Sequence, residues 1–426
     1  MTVDTYGGFG SWKPSSIPPF DINASNPVSS FVSPALSFTV HATEGPARCS
    51  TLKLPHDSVP TPIFMPVGTQ GTIKGLTASE MEELDCHILL ANTYFMNLRP
   101  GPDVLEQQGG LHQLMSWKRN ILTDSGGFQM VSLLSLSQLT EEGVTFSSPV
   151  DNSSTLLTPE RSIQIQHAIG SDIMMMLDDV VDVKVKDRNR MEEAMYRSIR
   201  WLDRALVVHK NSGKESVQNL FGIVQGGLDD ELRRISVQLT VDRKLPGFAI
   251  GGLSGGEAKE DFCRVVALCC KLLPQNQPRY LMGVGYALDL VVASALGVDM
   301  FDCVFPTRTA RFGTALVPFG QLQIRKSEYK SDFSPLDANC DCFCCKRYTR
   351  AALHALYNRD STLPTLLSIH NIAFQLRLMK CVRAAIYSNN LALFCREFLK
   401  TQFKTVADSP KWAVDALLAA GYCLDD

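Results

Sequence analysis

A chain of 426 residues with 45% hydrophobic content can bury a large core, as one big α/β domain with an appendage or as two ordinary domains, so disorder is excluded as its main theme. A net charge of −3 means that any contact with nucleic acid must come from a local basic patch, because the surface as a whole is not cationic. No apolar run reaches membrane-spanning length and no secretory signal is present; most of the 13 cysteines are scattered through apolar segments (Cys86, Cys263, Cys269, Cys270, Cys381, Cys395), as in a reduced cytosolic protein.

Residues 1–36 are rich in Ser, Pro, Gly and Asn without helical or strand period, which predicts a flexible extension. Lys13 is its only basic side chain, a poor match to a mitochondrial presequence. Short apolar runs ending in polar or glycine residues then recur: 62–67, 88–92, 121–124, 173–178, 220–225, 247–252, 279–284 and 300–304. Each is a candidate buried parallel strand. Helical stretches lie between most of them. Thr77-Ala78-Ser79-Glu80 is a capping-box pattern, and Thr158-Pro159-Glu160 opens a helix that Gly170 can end. The alternation predicts an irregular (β/α)8 TIM barrel over 37–313. An open doubly wound sheet is the alternative, disfavoured because no glycine-rich dinucleotide fingerprint follows the first strand.

Residues 314–426 break the rhythm. A hairpin is expected from 314–317 and 321–325 around Pro318-Phe319-Gly320, followed by a cysteine cluster and helices near 346–358, 365–388, 391–405 and 410–420. These residues form the predicted hairpin, zinc-binding subdomain and closing helices.

In barrels, reactive residues come from the C-terminal ends of strands. The third run ends in Thr123-Asp124-Ser125-Gly126-Gly127-Phe128-Gln129, the fourth in Asp178-Asp179, the fifth in Gln225-Gly226-Gly227, the sixth in Gly251-Gly252-Leu253-Ser254-Gly255-Gly256-Glu257, the seventh in Met282-Gly283-Val284-Gly285 and the eighth in Asp302. Glycines let backbone groups approach a planar ligand, Asp and Gln match the hydrogen-bonding edge of a purine, and Phe128 and Met282 can clamp its faces. Two carboxylates at a glycosidic centre suit double displacement, and Asp302 and Asp124 fit those roles. Taken singly, the glycines serve tight turns and Phe128 and Met282 are core; the convergence favours a site.

After Asp302, the segment Phe305-Pro306-Thr307-Arg308-Thr309-Ala310-Arg311 supplies two cations, joined by Arg325, Lys326, Lys330, Lys346, Arg347 and Arg350 as a basic face on an acidic protein. Cations beside a carboxylate suggest action on a phosphorylated polymer; a strand-end salt bridge is the plain alternative. Cys340-Asp341-Cys342-Phe343-Cys344-Cys345, with His370 further on, offers the Cys3His set of a structural zinc. Spacing alone does not choose which three of the four thiols ligate.

The motifs Thr123–Gln129, Phe301–Arg308 and Cys340-x-Cys342-x2-Cys345 with His370 resemble the tRNA-guanine transglycosylases, most closely their eukaryotic queuine-inserting catalytic subunits, from about Phe38 to the C-terminus. The resemblance implies a zinc-containing (β/α)8 enzyme that exchanges guanine for queuine at wobble position 34 of tRNAs with GUN anticodons, those for Asn, Asp, His and Tyr. It implies Asp302 as the nucleophile that holds a covalent tRNA intermediate and Asp124 as acid/base. The base pocket would be lined by Asp124, Ser125, Gly126, Gly127, Asp178, Gln225, Gly252 and Leu253, with Phe128 and Met282 stacking on the purine. RNA contacts fall on Gly283, Val284, Gly285, Tyr286, Ala287, Leu288 and Asp289 and on Thr307, Arg308, Thr309, Ala310 and Arg311. Cys340, Cys342, Cys345 and His370 match the zinc ligands, which leaves Cys344 spare.

Val180 and Gly255 stand where bacterial members carry cysteine and valine, a change that would admit queuine's cyclopentenediol. Phe95 replaces the usual histidine. The family further implies a heterodimer with a non-catalytic paralogue and a cytoplasmic location, with peripheral attachment to the mitochondrial outer membrane as a variant. The runner-up is that the chain is itself the non-catalytic tRNA-binding paralogue; retention of Asp124, Asp178 and Asp302 argues against it.

Overall fold

Strand closure decides between the two architectures that the alternation allows. The computed structural model describes residues 27–127, 137–147 and 154–425. Its first unit is an antiparallel sheet of Ser29–Ser33 (β1), Leu36–Glu44 (β2), Ala47–Lys53 (β3) and Ser58–Thr61 (β4), in that order. The barrel begins with Ile63–Gly68 (β5), Ile88–Ala91 (β6) and Asn120–Thr123 (β7). A small sheet of Ser137–Leu139 (β8), Val144–Ser147 (β9) and Ser154–Leu157 (β10) is inserted before the barrel resumes. Ile173–Met175 (β11), Asn219–Val224 (β12), Phe248–Ile250 (β13), Arg279–Leu281 (β14) and Met300–Cys303 (β15) complete it. The parallel pair of β15 with β5, Met300 opposite Ile63 through Cys303 opposite Pro66, closes the ring and excludes the open sheet. All eight apolar runs coincide with barrel strands, because a strand buried on both faces reads as a continuous apolar run.

The expected extension over 1–36 needs a correction at its end. β1 and the first residue of β2 lie inside it, with Phe31 opposite Phe38. In β1, half-buried Ser29, Phe31 and Ser33 alternate with exposed Ser30 and Val32, so a serine-rich composition concealed an edge strand.

The antiparallel sheet covers the N-terminal end of the barrel. From β3, buried Arg48 donates through Nε to Asp299 Oδ1 at 2.9 Å, one residue ahead of β15. From the β3–β4 turn, His56 Nδ1 lies 2.7 Å from Asp172 Oδ1, one residue ahead of β11. These contacts set the antiparallel sheet at the strand starts, opposite the C-terminal strand ends where ligands bind in barrels of this kind.

Local signals hold where the sequence placed them. Thr77 and Glu80 cap reciprocally, Glu80 N donating to Thr77 Oγ1 at 3.3 Å and Thr77 N to Glu80 Oε2 at 2.8 Å. The helix Pro159–Ile169 ends at Gly170 with φ +73°, a left-handed position that glycine takes without strain. Beyond the barrel, Thr314–Val317 (β16) pairs with Gly320–Gln323 (β17), which begins one residue and ends two residues earlier than expected. The helices Phe343–Arg347, Arg350–Leu356, Thr362–Tyr387, Leu391–Phe403 and Lys411–Ala419 follow. Thr362–Tyr387 is buried on most sides: Phe374, Leu378 and Val382 join the main core, whereas Leu366, Ile369 and Ile372 join a second cluster beside the cysteines. Among the described residues, no helix is long and apolar enough to cross a membrane.

Candidate active site and metal centre

Asp302 lies near the C-terminal end of β15, and the neighbouring strand holds its carboxylate. Tyr280 Oη donates to Oδ1 at 2.6 Å and Gly283 N donates to the same oxygen at 2.8 Å. Oδ2 has no hydrogen-bond partner among the described residues. Burial raises the Asp302 pKa against these two donors.

Asp124 follows β7 and is held by the segment after β6. Asn92 Nδ2 donates to Oδ2 at 2.5 Å, while Thr93 N and Gly126 N donate to Oδ1 at 2.9 and 3.1 Å. The segment folds this way because Asn92 caps the helix Thr93–Leu98 with its amide oxygen, accepting from Phe95 N at 3.0 Å, which leaves its NH2 for Asp124. Burial, augmented by the charge of Asp302, lifts the Asp124 pKa to about 7 despite the backbone donors. Asp124 therefore exchanges a proton near neutrality, as a general acid/base requires.

The third carboxylate, Asp178, accepts from Gln225 Nε2 at 2.6 Å, and burial raises its pKa to about 7. Gly252, at φ +67°, lies so close that a Cβ there would stand 2.5 Å from Gln225 Oε1, so a side chain would displace the amide. Carboxylate, amide and bare backbone thus form a small polar wall. Gly126 and Gly127 run between Asp124 and Asp178: a Cβ on Gly127 would come within 3.3 Å of the Asp178 carbonyl. Ser125 is buried and accepts from Gly127 N at 3.1 Å. Leu253, Met282 and Val180 are half-buried and Gly255 is exposed, a Cβ at Gly255 standing 2.9 Å from Val183 Cγ1. Phe128 lies outside the described residues. Phe95 sets its ring edge-on to Tyr94 with centroids 5.4 Å apart.

The segments expected to contact RNA divide by exposure. Gly283, Tyr286, Arg308 and Arg311 are exposed, and Ala287, Leu288 and Thr309 half-buried. Val284, Gly285, Asp289, Thr307 and Ala310 are buried, with Asp289 paired to Lys259 at 2.5 Å.

Cys340, Cys342, Cys345 and His370 each bring one ligand atom within 4.8 Å of the others. His370 Nε2 lies 2.8 Å from the Leu316 carbonyl, which can only accept, so Nε2 carries the proton and Nδ1 turns a lone pair toward the thiols. Nδ1 is 3.2 Å from Cys345 Sγ and 3.7 Å from Cys342 Sγ. This soft, tetrahedral-capable donor set fits zinc. Cys344, fully buried, stands outside this group of four.

A family model described as queuine tRNA-ribosyltransferase matches residues 43–404. The chain belongs to that family. A queuine tRNA-ribosyltransferase catalytic subunit of Schizosaccharomyces pombe is 51% identical over 399 residues, covering 90% of this chain and 96% of the relative. That of Caenorhabditis elegans is 49% identical over 404 residues, 92% and 100% respectively. A bacterial queuine tRNA-ribosyltransferase from Thermoanaerobacter sp. is 46% identical over 355 residues, 83% and 94%.

Within this queuine tRNA-ribosyltransferase fold, several residues around the site, or the partners they take, carried no signal of their own in the sequence. Tyr280 is a single aromatic inside a strand. Arg233 is fully buried and donates to the carbonyls of Gly227, Val224 and Gly251, each at 2.8 Å, tying together the loops after β12 and β13 behind Gln225. Asp179 is held by Arg190 at 2.8 and 2.6 Å and by Arg197 at 2.6 Å. Asn92 was readable as a polar strand end, but its tie to Asp124 spans 32 positions.

Proposed function

We propose that this chain exchanges guanine for queuine at wobble position 34 of tRNAs with GUN anticodons, by double displacement through a covalent bond between Asp302 and C1′ of the target ribose. The carrying observation is the pair of supported carboxylates: Asp302, which among the described residues is held through one oxygen, and Asp124 with a pKa of about 7. In the first displacement, Asp302 Oδ2 attacks C1′, the C1′–N9 bond breaks, and guanine leaves with the bonding pair while neutral Asp124 supplies its proton. Guanine then departs and queuine enters. Ionised Asp124 removes the N9 proton of queuine, N9 attacks C1′, and the bond to Asp302 breaks, regenerating both carboxyl groups. Protons and electron pairs balance over the cycle.

In this reading Asp178, Gln225, Gly252 and Leu253 hold the base edge, Met282 and Phe128 its faces, and Ser125, Gly126 and Gly127 the turn beside Asp124. Val180 and Gly255 leave space for the cyclopentenediol. Cys340, Cys342, Cys345 and His370 would hold one structural zinc, which stabilises the insertion when bound; four protein ligands leave it no open position for chemistry. The relatives' description as catalytic subunits supports a non-catalytic paralogue as heterodimer partner. None of the thirteen cysteines, all of them among the described residues, forms a disulfide, which supports a reducing compartment. The test is incorporation of labelled guanine, then displacement by queuine, in tRNAs with and without G34, with and without partner. Incorporation independent of G34 would refute the assignment.

A further inference from the structure

The loops after β14 and β15 run side by side in three successive contacts. Gly283 N donates to Asp302 at 2.8 Å; a Cβ on Gly285 would stand only 2.4 Å from Cys303 Cβ; and the rings of Tyr286 and Phe305 lie 4.4 Å apart, tilted by 49°. The nucleophile of the proposed reaction and this aromatic pair are therefore two ends of one short ladder. Phe305 packs against the main core, whereas Tyr286 is 54% exposed. Such an exposed ring, backed on one side by Phe305, offers a face to a ligand.

The loop is held from both sides. Buried Gln375 donates to the Gly285 carbonyl at 2.6 Å, and the Lys259–Asp289 pair fixes the first turn of the helix Ala287–Ala295 that Tyr286 opens. A ring presented this rigidly loses little conformational freedom on binding. One helical turn beyond Phe305 comes Arg308, then Arg311, both exposed, followed by Phe312 at 71% exposure. An exposed aromatic face on the loop that holds Asp302, with exposed arginines on the helix that carries its partner ring, is a combination that can take stacked bases and their phosphates in a single strand.

We propose that Tyr286, backed by Phe305, is the stacking platform for one of the two nucleobases that flank the target nucleotide. When the target base leaves the anticodon stack to reach Asp302, its neighbour loses a stacking partner, and the Tyr286 ring replaces it. Tyr286 is thus a positioning residue for the reaction proposed above, on which this inference rests.

The experiment uses the full chain with its partner, intact tRNA, and anticodon stem-loops that carry 2-aminopurine or an abasic site at each position flanking the target. Tyr286→Ala is expected to raise KM for tRNA by about 5- to 100-fold, the range that one lost stack produces, with KM for free guanine unchanged. Tyr286→Phe should restore KM, since stacking needs the ring and not the hydroxyl. Wild type should alter 2-aminopurine fluorescence at one flank, Tyr286→Ala should not, and an abasic site at that flank should erase the difference between them. An unchanged KM, an equal loss on abasic RNA, or a defect confined to association with the protein partner would overturn the proposal. Wild-type exchange into tRNA is the control: if it is absent, the assigned reaction fails; if it is present while Tyr286→Ala is indifferent, only the stacking role fails.

Discussion

Asp178 and Asp179, adjacent in the chain, send their carboxylates to different partners: Asp178 accepts from Gln225 at 2.6 Å, and Asp179 is gripped by Arg190 and Arg197. Asp178 faces the amide of Gln225, and Asp179 anchors the loop to the helix Arg188–Asn211. Because burial lifts the Asp178 pKa from 3.8 to about 7, its folded-state proton contributes stability that is complete below about pH 4 and lost as pH rises through about 7. The Asp178→Asn protein should therefore gain stability relative to wild type between pH 4 and 8, by at most ~4 kcal/mol. Melting curves across that range check this. Guanine presents N–H donors at N1 and N2, so its affinity for wild type should rise with pH through about 7, by up to about tenfold per unit, and Asp178→Asn should abolish that slope in calorimetry.

Tyr280→Phe removes the donor to Asp302 while keeping a buried ring of nearly the same volume. Loss of one hydrogen bond to a charged group, about 1.5–3 kcal/mol, should lower kcat by roughly 10- to 100-fold, with KM for guanine little changed. Steady-state exchange kinetics decide it; an equal loss confined to KM would make Tyr280 a packing residue.

How much of this was legible depended on the range of the interaction. Continuous apolar runs such as Leu220–Val224, caps such as Thr77–Glu80, and polar strand ends such as Asp302 and Asp124 are local, and they exposed the barrel and its reactive rim. Tyr280, Arg233 and the Asp178–Asp179 division depend on partners that only closure of the barrel brings near, so nothing in their own neighbourhoods announced them. The choice of Cys345 over Cys344 needed a helical turn. In the helix Phe343–Arg347, Cys345 stands three residues after the capping Cys342 and donates its N–H to Cys342 Sγ at 3.5 Å, while Cys344 turns inward. Strand β1 was hidden by a composition that matches a coil.

If zinc is structural, Cys342→Ala should lose the metal and destabilise the segment 340–347, whereas Cys344→Ser should keep it. Metal analysis and proteolysis of the two proteins separate the cases. A folded, fully active, zinc-free Cys342→Ala protein would defeat the assignment.

Arg308 and Arg311 are exposed on the helix Phe305–Arg311, which follows the strand that carries Asp302. Arg308→Ala or Arg311→Ala should weaken tRNA binding, flatten its dependence on log salt by about one unit of slope each, and leave free-base binding intact. Titrations over a salt series test this, and an unchanged slope would make these cations structural.

The central claim is a covalent bond to Asp302. Wild-type protein incubated with tRNA in the absence of free base should yield a denaturation-resistant protein–RNA adduct, which peptide mass spectrometry places on Asp302. Asp302→Asn should give neither adduct nor exchange. An Asp302→Asn protein that still exchanges guanine at close to the wild-type rate, with contaminating wild-type enzyme excluded, would contradict the account.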